Sequence, residues 1–402
     1  MENIPVLNGI IGGVKMKSFV RNIICLVMIF TLFSQTVLAE EKHAELSDDS
    51  KSAILIEKDT GAILYDKNSH EKLPPASMTK IMTLLLIMEA IDSGKLTMED
   101  KVRTSEYAAS MGGSQIFLEP GEEMKVKEML LAISLASAND ASVAMAEKIA
   151  GSEEAFVDMM NKRVKSLGLK NTKFNNTTGL PVEDHYSTAY DMAMMAKELL
   201  KYEDITDFTK QYESYLRENT DKKFWLVNTN KLVKFYPGVD GLKTGFTGEA
   251  KYCLTATAKK DDMRVVAVVF GATTSKSRNA QVTKMLDYAF AQYATHSIHK
   301  KGKVIEKVKV SKGNHKEINA ITGDQVSVLT KKGDKTDGLK TEIKINKQLN
   351  APIKKGEQIG TIIIKKEDKE LSKTPLVAEK DVKKATWWEL YKRAFGLFTQ
   401  SR

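Results

Sequence analysis

Three short stretches carry side chains that could do chemistry together. The first is Ser77-Met78-Thr79-Lys80, at the start of an apolar run from Ile81 to Ile87. A serine hydroxyl is a weak nucleophile unless a neighbour takes its proton. A lysine can do so when burial or nearby positive charge lowers its pKa. Residues i and i+3 share a helix face. Ser77 and Lys80 would therefore sit together at a helix mouth, where unpaired N–H groups favour developing negative charge. The run from Ile81 to Ile87 would keep water from Lys80, and Pro74-Pro75 would fix the entering chain. Taken alone, the pair reads better as a capping serine followed by a snorkelling lysine. The same spacing recurs at Ser297 and Lys300, where no helix opens.

The second stretch, Ser137-Ala138-Asn139, breaks an otherwise helical region. A hydroxyl and an amide presented at such a break can relay a proton and hold a substrate amide. This spelling also recurs, at Ser277-Arg278-Asn279. The third, Lys243-Thr244-Gly245, occurs once, inside an expected strand. Its lysine and hydroxyl could bind a carboxylate. Gly245 would let an extended peptide approach the strand edge.

The elements that must position these groups follow from periodicity. Two apolar segments around Thr60-Gly61 read as a hairpin. Next comes the helix opened by Ser77, stopped near Gly94. Residues 124 to 150 read as two helices broken at Ser137-Ala138-Asn139. Further helices are expected in "SEEAFVDMMNKRVKSLGL", capped by Gly168, and in "STAYDMAMMAKELL", where Thr188 and Asp191 have capping-box spacing. The period then changes: "GVDGLKTGFT", "KYCLTATAKK" and "MRVVAVVFGA" read as successive strands, before a helix over "SRNAQVTKMLDYAFAQYA". One sheet could take strands from both ends of this block, with helices packed on it. From about 297, short alternating strands between Gly, Asp and Asn turns read as a small all-β domain.

The 402 residues suffice for two domains, and 42% hydrophobic residues allow a core. Lys15, Lys17 and Arg21 precede an apolar run, Ile23 to Phe33, and a Val37-Leu38-Ala39 end. This is the layout of an export signal cut after Ala39, too short to span a bilayer well. "MKSFVRN" from Met16 is the more usual signal opening. Cys25 lies in that signal, so the mature chain keeps one cysteine, Cys253, expected as a buried strand residue. Of the net charge of +9, +7 lies beyond residue 39. That suits an anionic wall polymer or acidic lipid. Nucleic acid is disfavoured, because no basic cluster is flanked by aromatics. A Ser-His-Asp hydrolase finds only His70 and His185 in the catalytic block beyond its loose, polar start. No metal site is expected, Glu183-Asp184-His185 being the nearest thing to a ligand cluster. In the tail "ATWWELYKRAFGLFTQSR", Trp387, Leu390, Tyr391, Ala394, Phe395 and Phe398 share one helix face. Such a helix suits the lipid interface and cannot span a membrane.

In their order, the three motifs are the signature of penicillin-binding proteins and class A β-lactamases. Over residues 50 to 402 the chain resembles the serine-type D-alanyl-D-alanine carboxypeptidases, the low-molecular-weight penicillin-binding proteins. "AILIEKDTGAILYDKN", "PPASMTKIMT", "GGSQIFLEPGE", "SANDASVAMAE", "HYSTAYDMAMMAKEL", "NTNKL" and "GVDGLKTGFTGEAKYCLTATA" carry the likeness. The resemblance implies an α+β chain with a β-lactamase/transpeptidase-like catalytic domain, an antiparallel sheet with helices on it. The expected layout is a signal at 1–39, the catalytic domain at 40–295, a small β-sandwich at 296–372, and a linker with an amphipathic helix at 373–402. It implies Ser77 as nucleophile, Lys80 as general base and Ser137 as proton relay. Asn139 would hold the substrate amide. Lys243 and Thr244 of the Lys-Thr-Gly motif would position the terminal carboxylate, with Gly245 completing that motif and Arg278 adding charge. The backbone N–H groups of Ser77 and Phe246 would form the oxyanion hole. Many relatives have His where Phe246 stands, and a side-chain role for that His is lost here. Peptidoglycan stem peptides are the implied substrate and β-lactam antibiotics the inhibitors. No cofactor is implied. The membrane surface would be met through residues 385–402, on the outer face of the cytoplasmic membrane. The rival β-lactamase would need a glutamate to activate the deacylating water, and no motif supports one. A non-catalytic penicillin-binding scaffold would be expected to lose a motif, and none is lost.

Overall fold

The structure, a computed structural model, describes residues 45–392 apart from 347. The expected signal at 1–39 and residues 393–402 of the tail lie outside the described residues.

Strands β1 (Ser52–Glu57) and β2 (Ile63–Lys67) form the hairpin around Gly61. Two small hairpins follow, β3 (Lys101–Arg103) with β4 (Glu123–Lys125) and β5 (Glu213–Leu216) with β6 (Phe224–Val227). Strands β7 (Val239–Thr247), β8 (Lys251–Lys260) and β9 (Met263–Ala272) then complete a five-stranded antiparallel sheet in the order β2-β1-β9-β8-β7. Both chain ends of the catalytic block thus meet in one sheet.

Alternation along β1 shows how that sheet is covered. Ile54 and Ile56 face one core with Val266, Val268 and Phe270 of β9. Ala53 and Leu55 face the other with Val265, Ala267 and Val269. Helices α1 (Lys80–Asp92), α2 (Asn139–Ala150), α3 (Glu153–Ser166) and α4 (Ala189–Leu199) fill the first side. Helix α5 (Ser275–Gln292) covers the second with Val282, Met285, Leu286 and Ala289. A sheet buried on both faces explains why β1 is buried along its whole length, since each face meets helices. Helix α1 lies inside its layer and is buried from Lys80 to Met88 on every side, which accounts for its unbroken apolar run.

The chain then enters the β-domain through β10 (Tyr293–His299). The expected helix to Ala294 ends at Gln292, and the expected domain boundary between 295 and 296 falls inside β10. Five further strands form an antiparallel sheet in the order β11-β12-β16-β15-β14. They are β11 (Val304–Lys309), β12 (Glu317–Thr322), β14 (Lys340–Ile345), β15 (Gln358–Lys366) and β16 (Lys369–Ala378). β10 pairs instead with β13 (Val326–Lys331). Val326 and Val328 of β13 share a core with Ile318, Ile362, Ile364 and Leu376 of the larger sheet. The expected end of this domain at 372 cuts β16, which continues to Ala378 in the middle of the sheet. Lys373 and Pro375 gave the segment the look of a linker. Proline is tolerated there because β12 flanks β16 only from Leu376 onward. Bridges at Val382 and Lys384 extend the domain further.

The two domains are joined by buried polar contacts. Lys58 Nζ donates to Asp324 at 2.9 Å, while Gln325 Nε2 and Ser327 Oγ donate to Asp59. Among the described residues, no helix is long and apolar enough to cross a membrane.

Candidate active site

Ser77 does not sit in the α-helix proper. Residues Ala76–Thr79 form a 3-10 turn that runs straight into α1. Ala76 is held at φ +47°, a left-handed conformation that an alanine adopts only under constraint. Two glycines supply that constraint by letting backbone press on the turn. A Cβ on Gly245 of β7 would lie 2.7 Å from the Pro75 oxygen and 3.2 Å from the Met78 nitrogen. A Cβ on Gly179 would lie 1.8 Å from the Ala76 oxygen. The turn is thus gripped between β7 and the 177–179 loop.

Lys80 is fully buried beneath it. Its Nζ lies 3.2 Å from Ser77 Oγ, 2.6 Å from Asn139 Oδ1 and 2.8 Å from the Thr178 carbonyl. Burial first, and then the charge of Lys243, hold the Lys80 ammonium well below the usual lysine range, with Asp140 pulling the other way. Burial also brings Lys243 down to about 7, helped by the guanidinium of Arg278. Arg278 is itself lowered to about 10 by burial on α5. Lys243 and Arg278 thus keep positive charge close to the Lys80 ammonium group, an attraction for an anion.

The break after the second helical stretch is a π-turn, Ala132–Ala136, ended by Ser137 at φ +64°. Ser137 Oγ is buried and makes no hydrogen bond among the described residues. Asn139, the first residue of α2, donates from Nδ2 to the Gly112 carbonyl at 2.7 Å while its Oδ1 holds Lys80. Asp140 beside it accepts from the backbone N–H groups of Ile116 and Leu118, fixing the loop that Asn139 touches. On β7, Thr244 Oγ1 donates to Thr229 Oγ1 at 2.7 Å. Phe246 is about half exposed, with its ring 4.5 Å from that of Tyr252.

The structure therefore joins Ser77, Lys80 and Asn139 directly and lays Gly245 against their turn. Lys243 acts on Lys80 through its charge, and Arg278 on Lys243. Several contributors went unassigned in the sequence reading: the Thr178 carbonyl, Gly179 and Thr229. Thr229 lies in "NTNKL", one of the stretches that carry the family likeness. His185 orders its own loop and also braces the turn. Asn175 N–H donates to its Nδ1, leaving Nε2 to face Thr79 Oγ1 at 2.8 Å. Burial lowers its pKa to about 4. Cys253 lies opposite Gly245 on β8, buried, its thiol pushed up to about 11 by burial. Among the described residues no group of three His, Cys, Asp or Glu could hold a metal. An open groove of about 570 Å³ runs beside the turn, lined by Pro75, Ala76, Leu180, Tyr186, Thr247 and Glu249.

A half-buried serine in a strained turn over a fully buried lysine, beside a strand carrying Lys243, can form an acyl-enzyme with a substrate that ends in a carboxylate. Comparison with known proteins agrees in chemistry and in extent. Residues 38–274 match the family described as D-alanyl-D-alanine carboxypeptidase, and residues 293–384 match the C-terminal domain of penicillin-binding protein 5. The first match spans all three motifs, while Arg278 lies just beyond it. The chain is 61% identical over 388 residues to the D-alanyl-D-alanine carboxypeptidase DacF of Bacillus subtilis, covering 96% of this chain and 100% of that one. Penicillin-binding protein 5 of Haemophilus influenzae superposes with a TM-score of 0.65 at 30% identity, over 84% of this chain and 98% of that one. Penicillin-binding protein D2 of Listeria monocytogenes, solved in its ampicillin-bound form, gives a TM-score of 0.52 at 29% identity, over 60% of this chain and 98% of that one. With the matched family covering the whole catalytic sheet and a full-length relative at this identity, the chain belongs to the D-alanyl-D-alanine carboxypeptidase family.

Proposed function

We propose that the protein removes the terminal D-alanine from peptidoglycan pentapeptide stems through a serine acyl-enzyme, and that β-lactams acylate the same serine. The observation that carries this reading is the buried Lys80 ammonium group, 3.2 Å from Ser77 Oγ and held below its usual pKa. Neutral Lys80 takes the Ser77 proton as Oγ attacks the carbonyl carbon of the penultimate D-alanine. The backbone N–H groups of Ser77 and Phe246 face the resulting oxyanion. Collapse breaks the peptide C–N bond. The proton reaches the leaving amine through Ser137 Oγ, which has no competing partner among the described residues. Water then hydrolyses the Ser77 ester and restores the hydroxyl. Asn139 orients Lys80 and holds the substrate amide. Lys243 and Thr244 bind the terminal carboxylate, with the Arg278 charge behind them. Gly245 lets β7 approach closely enough for the stem to lie along it.

Loss of the fifth residue removes the acyl donor for cross-linking, so the activity limits cross-links in the wall. Such a substrate places the protein outside the cytoplasmic membrane, consistent with an export signal at 1–39. The aromatic tail from 385 to 402 is the proposed contact with that membrane.

The test is incubation of the purified protein with a labelled penicillin and, separately, a pentapeptide ending in D-Ala-D-Ala. Acyl-enzyme and released D-alanine are expected, and Ser77→Ala should give neither. Absence of both from the wild type would sink the reading. Label without D-alanine release would point to a non-catalytic receptor, and rapid penicillin turnover to a β-lactamase.

A further inference from the structure

Charge is divided sharply between the two domains. Residues 40–295 hold 33 Lys or Arg against 38 Asp or Glu, a net of −5. Residues 296–392 hold 23 Lys, no Arg and 13 Asp or Glu, a net of +10. The positive charge of the chain therefore belongs to the β-domain.

Part of it is gathered where the chain leaves that domain. Backbone hydrogen bonds bring three segments together there. Ser311 N–H donates to the Leu349 carbonyl, Ala351 to Ser311, Asn314 to Lys383 and Ala385 to Lys312, while Ile353 and Val382 exchange both bonds. Ala351, Ile353 and Val382 are buried beneath. On the same joined segments Lys312, Lys316, Lys354, Lys355, Lys383 and Lys384 are all exposed. None of the six takes part in an ion pair of the β-domain among the described residues. Three acids share these segments: Glu317 beside Lys316, Asp381, which accepts from the Lys355 backbone N–H, and Glu357, which accepts from that of Lys354; six lysines against three carboxylates leave the patch a net +3. Residues 387–392 follow at once as helix, with Trp387 74% and Trp388 55% exposed. Their rings stack with Tyr391 at 5.4 and 5.6 Å, making one aromatic patch open to solvent.

We propose that these six lysines form a seat for anionic lipid headgroups, a second membrane contact at the root of the aromatic helix. This rests on the membrane reading of residues 385–402. Lysines are compact point charges that suit a diffuse layer of phosphates, whereas arginine forks suit one bidentate ligand. An aromatic patch with a basic flank is the composition of an interfacial anchor that needs two signals to hold. Its continuity with the aromatic patch favours lipid over a phosphate-rich wall polymer. The net −5 of the catalytic domain is repelled by the same surface.

The experiment is sedimentation of the full chain with vesicles of phosphatidylcholine, or of phosphatidylcholine with roughly one-third phosphatidylglycerol. Each engaged lysine is worth about fivefold in partitioning. Two engaged lysines alone would give a preference of about 25-fold for the anionic vesicles, reduced by added salt. A full chain with Lys312, Lys316, Lys354, Lys355, Lys383 and Lys384 changed to Gln should lose that preference yet keep its binding to neutral vesicles. A variant with Lys354→Gln, Lys383→Gln and Lys384→Gln serves if six changes impair folding, with penicillin labelling as the check. Trp387→Ser with Trp388→Ser should do the reverse, losing neutral binding and keeping a weaker, salt-sensitive preference. Equal wild-type binding to both vesicles, or a preference that survives the lysine changes, overturns the seat and leaves the aromatic anchor standing. No binding to either vesicle overturns both. Pelleting with a phosphate-rich wall polymer but not with phosphatidylglycerol overturns the seat in favour of the polymer.

Discussion

Gly245→Ala tests whether the strained turn is what prepares Ser77. The added methyl carbon would stand 2.7 Å from the Pro75 oxygen and 3.2 Å from both the Ala76 Cβ and the Met78 nitrogen. Carbon contacts relax to about 3.5 Å, so turn and strand must part by about 0.8 Å. Backbone atoms on both sides cannot swing away as a flexible side chain could. A displacement near 1 Å of a reacting group costs about 100-fold in rate. The second-order rate of acylation by a labelled penicillin should therefore fall by about 30- to 100-fold, or ~2 to 2.7 kcal/mol of barrier. Overpacking should cost about 1–3 kcal/mol of stability, which lowers Tm by several degrees without unfolding the protein at room temperature. Gly248→Ala is the matched control: it lies three residues on, and nothing comes within 4 Å of its added carbon. Stopped-flow acylation and thermal melting of both variants decide the matter. A Gly245→Ala protein that acylates as fast as Gly248→Ala would refute the idea that close strand contact positions the nucleophile.

Three other outcomes follow from the same contacts. Arg278 is the second cause, after burial, of the depressed Lys243 pKa of about 7. Arg278→Gln should raise that pKa, so Lys243 keeps its charge to higher pH and the alkaline limb of kcat/KM moves upward. An unmoved or downward-shifted limb in a pH–rate profile with a D-Ala-D-Ala peptide would contradict the assignment. His185 titrates at about 4 when folded, against an ordinary value of 6.5. The unfolded chain thus binds more protons between those values, and stability falls as pH drops from 6.5 to 4, by about 3 kcal/mol for this group. His185→Gln should flatten that part of the urea-midpoint profile, and parallel wild-type and variant curves would count against it. Asp324→Ala leaves Lys58 with only Asp59, 3.2 Å away, in a place where both partners are nearly buried. Breaking such a pair costs about 3 kcal/mol. Melting should show the β-domain loosened from the catalytic domain while penicillin acylation stays normal; an unchanged melt would mean the contact does not lock the domains.

Much of the site was legible because its side chains advertise themselves locally. Ser77 and Lys80 share a helix face, Asn139 opens a helix after a break, and Lys243 lies on a strand. The supports were not legible, because they act through backbone. The Thr178 carbonyl could be any carbonyl, and Gly179 looks like a turn glycine until the Ala76 oxygen is seen 1.8 Å from where its Cβ would stand. No element is expected from the sequence between residues 201 and 237, which hold the whole β5–β6 hairpin. Its exposed Tyr215 and Trp225 pair across the strands and give no buried alternation to read. β16 was cut short for the opposite reason: its charges and Pro375 resemble a linker, and only pairing on both sides makes the segment a central strand.

The surroundings of Lys80 make a case about how such a base can work at all. Nζ faces three oxygens: Ser77 Oγ, Asn139 Oδ1 and the Thr178 carbonyl. An ammonium has three N–H donors and no acceptor, so this shell fits the charged form fully, whereas a neutral amine spends its lone pair on one of them. Burial and Lys243 push the other way. The two influences sit on different partners. Asn139 and Thr178 are fixed by the fold, but Lys243 changes when a substrate carboxylate arrives to neutralise it. In the free enzyme the charge of Lys243 lowers the Lys80 pKa and so favours the neutral form that can accept the Ser77 proton. Once the carboxylate is bound, that repulsion weakens and the three-oxygen shell favours Lys80 carrying the proton. In the proposed reaction, binding a substrate that ends in a carboxylate therefore makes the proton transfer more favourable, and a peptide lacking that carboxylate would lose rate as well as affinity.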